Sequence, residues 1–389
     1  MDWVPPPRLT PSTGVRLAAV LGLVAVAACL PGSRRGGPTP SVAQPSPPPV
    51  SPASPTAPPP SPTRVGISRF PALRFLDPRQ GWAGGQGAIL ATADGGRTWS
   101  RQYTGGETIT ALDFVDAQHG WALGRTSLLR TADGKTWNAL TPSPSPLHSI
   151  DFADPSRGLA TTEDGRLLVT SDGGASWKSV AGQPSIDTVC NPDAAVGWAV
   201  GGIIVIRSAD AGRSWSTILS GSFGASRQWT STIHCRGRDN AWVLFEDGAA
   251  SNQESYLVMV TPDTGKHWRT VLQDQIRCEG CPGPQASQID AYPGPFEALS
   301  ASSAVFVGWC PACAPAHVNL VSTTDGGATW RRRPVVETNG VFPYAVSAVD
   351  SNQIWLLVER AGNGEILATQ DGGARWTSVY KSPALIGAP

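Results

Sequence analysis

The sequence has no net charge, few histidines and no apolar run that would cross a membrane. Its 30 basic and 30 acidic residues cancel, and only 15% of the 389 residues are charged. We therefore expect no nucleic-acid partner. The five histidines form no local motif for Ser/His/Asp or Cys/His catalysis. The apolar run at 17–28 is too short to span a bilayer, which takes about 20 residues.

Glycine, proline and tryptophan are abundant instead. The chain holds 43 glycines, 36 prolines and 15 tryptophans. Glycine and proline favour turns, and tryptophan supplies packing surface. This mixture favours an all-β protein with many turns over a helical one.

The first 64 residues differ from the rest. Arginines precede the apolar run, as in a signal peptide, and the run ends in Val-Ala-Ala before Cys29. This end resembles the bacterial lipoprotein box, which implies a signal peptide at 1–28 and a lipid on Cys29. The alternative is an ordinary secretory signal with an incidental Cys29. Both place the protein outside the cytoplasm, and the first adds a lipid anchor in a bacterial membrane.

Residues 29–64 are rich in proline and serine, so they cannot bury a core and should form a disordered tether. The folded domain is then 65–389. Within it the octet "TADGGRTW" recurs in seven copies, once with one position lost. The acid of each copy is Asp94, Asp133, Asp172, Asp210, Asp263, Asp325 or Asp371.

Each octet belongs to a longer unit of alternating apolar and polar residues. The unit predicts four short strands, with the octet joining the third strand to the fourth. Repeated four-stranded sheets of this kind form a β-propeller. The sequence therefore predicts one monomeric, seven-bladed propeller.

The octet resembles the Asp box, Ser/Thr-x-Asp-x-Gly-x-Thr-Trp, found in sialidases, sortilin-type receptors, some xyloglucanases and photosystem II stability/assembly factors. The pattern "F-x-D-x-x-x-G-W-A" about ten residues earlier makes the unit most similar to the last family. The resemblance covers residues 68 to 382 and implies a propeller. It implies little about function, because these proteins have unrelated activities.

The repeated acid has three interpretations: a catalytic carboxylate, a calcium loop or a structural turn. Catalysis needs one or two distinct acids, and a calcium loop needs several oxygen ligands. Seven equivalent copies favour the turn, in which Asp accepts backbone N–H groups and the tryptophan covers a hairpin. These tryptophans are Trp99, Trp137, Trp177, Trp215, Trp268, Trp330 and Trp376.

Strand direction predicts which face carries function. The octets and the turns joining first to second strands share one face, and the remaining loops share the other. Those remaining loops lengthen after Trp215, and long loops on a rigid scaffold are where binding usually resides. The alternative is that their length has no function. The candidate binding residues are Phe223, Trp229, Tyr256, Tyr292 and Phe296.

Six cysteines remain besides Cys29. Cys190 and Cys235 occupy equivalent positions in neighbouring units, so we expect a disulfide between adjacent blades. Two CxxC pairs, at 278–281 and 310–313, should lie on the face that carries these longer loops, away from the octets. In an exported protein we favour disulfides that staple the long loops. A four-cysteine zinc site and a redox-active dithiol are the alternatives, and their residues are Cys278, Cys281, Cys310 and Cys313.

The leading functional hypothesis is a non-enzymatic binding or assembly scaffold without a cofactor. Its partner would be a protein or an envelope polymer. The resemblance to photosystem assembly factors implies that it helps a membrane complex to mature. A sialidase- or xyloglucanase-like glycosidase is one alternative, although no matched carboxylate pair can be identified. A metal or redox protein built on the CxxC pairs is the other.

Overall fold

The computed structural model describes residues 72–141, 146–221, 229–250, 253–273 and 289–382. The predicted signal peptide and tether lie outside these residues, as do Cys29, Phe223, Cys278 and Cys281. Within them every regular element is a β-strand. No helix long and apolar enough to cross a membrane occurs in this part of the chain.

Seven antiparallel sheets follow one another along the chain. The first four comprise β1 Leu73–Phe75, β2 Gly81–Thr92 and β3 Ser100–Thr108; β4 Ala111–Phe114, β5 Gly120–Leu123, β6 Leu128–Thr131 and β7 Asn138–Ala139; β8 Leu147–Phe152, β9 Gly158–Thr162, β10 Leu167–Thr170 and β11 Lys178–Ser179; β12 Thr188–Cys190, β13 Gly197–Gly201, β14 Ile204–Ser208 and β15 Ser216–Ser220. The last three comprise β16 Thr230–Cys235, β17 Ala241–Ala250, β18 Gln253–Thr261 and β19 Arg269–Gln273; β20 Tyr292–Ala298, β21 Ala304–Cys310, β22 His317–Thr323 and β23 Arg331–Glu337; β24 Val341–Ala348, β25 Ile354–Arg360, β26 Asn363–Thr369 and β27 Thr377–Ser382.

In the first sheet the single strand β2 fills two positions. Residues 81–83 pair with β1, and residues 88–91 pair with β3. Gly87 lies between them with φ of 60°, a left-handed conformation that glycine adopts at low cost. Each sheet is thus a blade of four strand positions, and the predicted all-β, seven-bladed propeller is confirmed.

The first strands of the blades line the centre of the ring. They contact one another in a closed circuit, β1–β4–β8–β12–β16–β20–β24, which returns to β1. The first blade is built from the start of the described chain and the last from its end, so no strand is shared at closure. Instead Trp355 stacks on Phe75 at 3.8 Å, and the Phe75 N–H donates to Ser347 at 2.9 Å.

The hydrophobic core of the described residues consists of seven clusters, one between each pair of neighbouring blades. The Trp–Phe stacking seen where the ring closes recurs between the first and second blades and between the second and third blades. Trp82 stacks on Phe114 at 3.9 Å, and Trp121 stacks on Phe152 at 3.6 Å. Each interface between neighbouring blades thus has its own hydrophobic cluster, which packs the central strands against one another.

Candidate functional site

The octet turns use their acids within the turn. In the third blade, the Thr170 hydroxyl accepts the Gly174 N–H at 3.0 Å and donates to Asp172 at 2.8 Å. Asp172 also accepts the hydroxyl and N–H of Ser176, at 2.5 and 2.8 Å. These bonds stabilise the carboxylate and lower the pKa of Asp172 to about 2. The same bonds recur around Asp94, Asp210 and Asp325.

The imperfect octets keep this geometry. Asp133, in the shortened copy, accepts two backbone N–H groups, at 2.7 and 2.8 Å. Asp263 accepts the N–H of His267 at 2.9 Å, although Thr264 there holds a left-handed φ of 66°. Asp371 accepts the N–H of Arg375 at 2.9 Å. Each octet acid is thus engaged in hydrogen bonds within its own turn.

A backbone hydrogen bond joins each octet to the turn between the first and second strands of its blade. In the third blade it runs from the N–H of Gly173 to the carbonyl of Ser156, at 2.7 Å. An equivalent bond is present in all seven blades. Both kinds of turn therefore lie on one face of the ring, which we call the turn face. The other loops form the opposite face.

The octet tryptophans pack rather than protrude. The indole N–H of Trp177 donates to the carbonyl of Gly174 at 3.0 Å, and its ring meets Phe152 edge-on at 5.9 Å. Trp99 and Trp215 make the same bond within their own octets, at 2.9 and 3.1 Å. Trp137 is buried. The remaining three, Trp268, Trp330 and Trp376, pack against the hydrophobic clusters between blades.

A charged cluster at the centre of the ring was not predicted. Glu297 is buried and forms ion pairs with Arg236 and Arg74, the latter at 3.6 Å. His234 lies 3.9 Å from the same carboxylate. Burial opposes ionisation of Glu297, but these cations outweigh it and lower the pKa. A sequence signal existed, since Arg74 and His234 each come directly before the residue that ends a first strand.

Two further central acids connect neighbouring first strands. Asp113 accepts the Phe152 N–H at 2.6 Å, and Asp151 accepts the Asn191 N–H at 2.8 Å. Burial, together with the charge of Asp113, raises the pKa of Asp151 to about 7. Burial also raises the pKa of Asp113, and Arg74 partly offsets this. Asp113 and Asp151 thus form inter-blade hydrogen bonds, and Glu297 forms inter-blade ion pairs.

Another buried acid lies on β17. Glu246 is 6% exposed, and burial followed by the charge of Glu254 raises its pKa well above the ordinary value. Burial and a neighbouring charge also raise the pKa of the general acid in some hydrolases. Glu246 also has a structural explanation, because its strand packs against the core between the fifth and sixth blades.

The predicted binding residues on the opposite face require correction. Trp229, Tyr256 and Phe296 are 8%, 1% and 4% exposed, because they pack between blades. Tyr256 accepts the Ile289 N–H at 2.6 Å, and Phe296 stacks on Phe306 at 4.6 Å. These three are core residues and cannot present their rings to a partner. Tyr292 alone among the four described candidates is half-buried, and Phe223 lies outside the described residues.

Tyr292 begins a row of four half-buried aromatic rings, which we call the aromatic ladder. Its neighbour across the strands is Trp309, at 5.2 Å between ring centroids. Trp309 meets Phe342 edge-on at 4.5 Å, and Phe342 lies 5.1 Å from Tyr344. The rings come from β20, β21 and β24, at the strand ends on the opposite face. The ladder therefore crosses the sixth and seventh blades.

The hydroxyl of Tyr344 donates to Glu359 at 2.5 Å. Burial and this carboxylate raise the pKa of Tyr344 well above its usual range. The ring is thus held in one orientation as an uncharged phenol. The ladder ends in a fixed polar group.

The cysteines fall into two different settings. Cys190 and Cys235 form a disulfide between the ends of β12 and β16, in neighbouring blades. Cys310 is bonded to Cys313 within its own short turn. The favoured disulfide is thus present at the second CxxC pair, where it closes a turn with a sequence separation of 3. Cys278 and Cys281 lie outside the described residues.

An open groove of about 910 Å³ lies between the third and fourth blades on the turn face. The two-residue outer strand β11 of the third blade lies along it. Its walls include Ser176, Lys178 and Asp210, and Asp210 already accepts hydrogen bonds in its own octet. The groove offers space but no paired acids among its lining residues.

No protein-family model matches this chain, and no curated protein matches it significantly. Solved structures share its fold. YCF48 bound to a D1 peptide has 17% identity and a TM-score of 0.54, covering 78% of this chain and 93% of that one. YCF48 from Cyanidioschyzon merolae has 17% identity and a TM-score of 0.53, covering 79% and 96%.

A glycosidase shares the fold as well. The GH74 xyloglucanase from Xanthomonas campestris has 16% identity and a TM-score of 0.56 over 81% of this chain. The alignment spans 55% of that enzyme, so the present chain corresponds to about half of it. At such identities the likeness shows the fold alone. The chain is a seven-bladed β-propeller similar in architecture both to YCF48 and to part of a xyloglucanase.

Proposed function

We propose that the chain is a non-enzymatic binding scaffold whose opposite face engages a protein partner. The observation that carries this proposal is the aromatic ladder of Tyr292, Trp309, Phe342 and Tyr344. Half-buried aromatic rings on a rigid support are typical of the centres of protein interfaces. They offer apolar contact area and lose little conformational entropy when a partner binds.

The octet acids and the central acids support a non-enzymatic role. The octet acids are engaged in turns, Asp113 and Asp151 accept backbone N–H groups, and Glu297 is ion-paired. Among the structural neighbours, YCF48 has been solved with a D1 peptide, which agrees with a polypeptide ligand for this fold. For this chain we propose only that the ligand is a polypeptide.

We also infer that the propeller is held outside the cytoplasm by a lipid on Cys29. This inference rests on the sequence "VAAC" and on the tether at 29–64. Labelled fatty acid should be incorporated by the native chain and not by Cys29→Ser. Equal incorporation by both would remove the anchor from the proposal.

The binding proposal can be tested with a displayed peptide library selected against the full chain. Affinity for a selected peptide should fall at least about tenfold in Trp309→Ala or Phe342→Ala. The control Lys178→Ala, an exposed side chain on β11, should bind as the native chain does. Equal affinity of the ladder variants and the native chain would place the binding site elsewhere.

A glycosidase is the second candidate, and Glu246 is the observation that favours it. A buried carboxyl with a raised pKa beside a second acid, Glu254, is a common feature of hydrolytic sites. Purified chain should be assayed with xyloglucan and with sialosides. Turnover that disappears in Glu246→Gln would establish hydrolysis and overturn the non-enzymatic proposal. Absence of turnover in the native chain leaves Glu246 as a buried structural acid.

A further inference from the structure

Four potential metal ligands meet on the opposite face of the sixth blade. They are Asp290, Cys310, Cys313 and His317, and one ligand atom from each lies within 4.8 Å of all the others. Asp290 precedes β20, Cys310 ends β21 and His317 begins β22. Ligand atoms in a tetrahedral zinc site lie about 3.3–3.8 Å apart, given bonds of about 2.0–2.3 Å. The four side chains are therefore close enough to share one ion.

The sheet brings Cys310 and His317 together independently of the disulfide. Cys310 and His317 are direct partners in the β21–β22 ladder. Asp290 is fixed separately, since its Oδ2 accepts the side-chain N–H of Asn319 at 2.7 Å. Reduction of the Cys310–Cys313 bond would thus free two thiols without removing the strand pairing that positions Cys310 and His317.

The histidine is oriented as a metal ligand would be. Its Nδ1 lies 3.0 Å from the Pro315 carbonyl, which can only accept, so Nδ1 carries a proton. Its Nε2 points at Asp290 Oδ2, 3.2 Å away. Two acceptor atoms this close need a proton or a cation between them. A backbone carbonyl on one ring nitrogen and a metal on the other is the usual arrangement for zinc-bound histidine.

We propose that reduction of the Cys310–Cys313 disulfide converts this cluster into a zinc site. A dithiol reductant donates two electrons and two protons, is itself oxidised to a disulfide, and leaves two thiols on the protein. The ion then displaces both thiol protons to solvent and is bound by two thiolates, His317 Nε2 and an oxygen of Asp290. In the reverse step an external disulfide takes up the two electrons and is reduced to two thiolates, the Cys310–Cys313 bond re-forms by exchange, and the ion loses two ligands and is released.

The inference goes beyond the binding scaffold and adds a redox-controlled metal site to its opposite face. Trp309 of the ladder directly precedes Cys310, so the site and the ladder are neighbours. Cys313 is the more accessible of the two cysteines, because Cys310 is 4% exposed. An external thiolate therefore attacks Cys313, and Cys310 is the leaving group.

The experiment uses the full chain, reduced with a phosphine that is then removed, and Co²⁺ as the probe. We expect one Co²⁺ per reduced chain, with thiolate-to-cobalt absorption, and no such absorption in the oxidised chain. Affinity should fall at least about tenfold in His317→Ala and in Asp290→Ala, since each removes a ligand. Zinc should displace the cobalt.

Matched controls separate this site from the other cysteines. The variant Cys278→Ser/Cys281→Ser should keep the absorption, and Cys310→Ser/Cys313→Ser should lose it after the same reduction. Loss of absorption in the first variant would overturn the proposal in favour of a four-cysteine site. Native affinity in His317→Ala and Asp290→Ala, or in the second variant, would also overturn it. Tryptophan fluorescence checks that each variant is folded.

Discussion

On the turn face each of the seven blades repeats one hydrogen-bonded turn, whereas on the opposite face the sixth and seventh blades carry groups of their own. The repeated turn pairs an acid with hydroxyl and N–H groups of its own octet. The opposite face carries the aromatic ladder and the cluster around Cys310. In the described residues, what recurs around the ring is therefore structural, and what occurs in one place is a candidate for function.

The length of the second strand also differs between the early and the late blades. Second strands in the second to fourth blades have four or five residues, whereas β17, β21 and β25 have 10, 7 and 7. Longer strands extend a blade toward the opposite face without disturbing the octets at the other end. The repeated turn face can thus support a variable opposite face, and binding sites are commonly found on variable loops of such a scaffold.

Two tryptophans on equivalent strands provide the largest test of this comparison. Trp121 is fully buried, stacks on Phe152 and donates to the carbonyl of Gly173 in the next octet at 2.9 Å. Trp121→Ala should reduce the free energy of unfolding by about 3–5 kcal/mol. Trp309→Ala should cost much less, because that ring is half-buried. Urea denaturation measures both, and equal losses would mean that the ladder is core.

The Cys190–Cys235 disulfide should stabilise the protein more than the Cys310–Cys313 disulfide does. Cys190–Cys235 spans a sequence separation of 45, and Cys310–Cys313 spans 3. On the chain-entropy account, loops of these lengths contribute about 4 and about 1.6 kcal/mol. Replacing each pair with serine and measuring urea midpoints tests this order. A larger loss from the Cys310 pair would show that the opposite face depends on its disulfide.

Removal of a buried hydroxyl from one octet should have a smaller effect on the free energy of unfolding. Thr170→Val keeps the shape of the side chain but leaves the Gly174 N–H without its acceptor. The cost should be about 1–3 kcal/mol, typical of an unpaired buried donor. Thr377→Val, at an exposed position on β27, is the matched control and should change stability little. If both variants unfold at the same urea concentration, the octet bond contributes nothing measurable.

The repeat predicted the blade number and the turn face because a turn depends on local hydrogen bonds within eight residues. The ladder could not be predicted, since Trp309 and Phe342 meet only after two blades pack. Tyr256 and Phe296 were predicted to lie in or beside binding loops, but they lie on β18 and β20 and pack between blades. The sequence pattern did not locate the ends of these strands. His317 was visible at C-x2-C-x3-H spacing, but Asp290 reaches the cluster from a separate strand.

The two faces should also respond to pH with opposite sign. The pKa of Asp172 falls from 3.8 to about 2 on folding, so below pH 4 the unfolded chain binds more protons and stability falls down to about pH 2. Glu246 has a raised pKa, so above its ordinary 4.5 the native chain binds more protons and stability falls as pH rises.

Urea midpoints from pH 2 to 7 for single variants should separate these effects. Asp172→Asn should flatten the acid limb slightly, because six other octets remain. Glu246→Gln should gain stability relative to the native chain on going from about pH 4.5 to 7, because an amide has no charge to bury. If the stability difference between the two proteins does not change from about pH 4.5 to 7, Glu246 titrates as an ordinary exposed acid, and the opposite face has no distinct pH response.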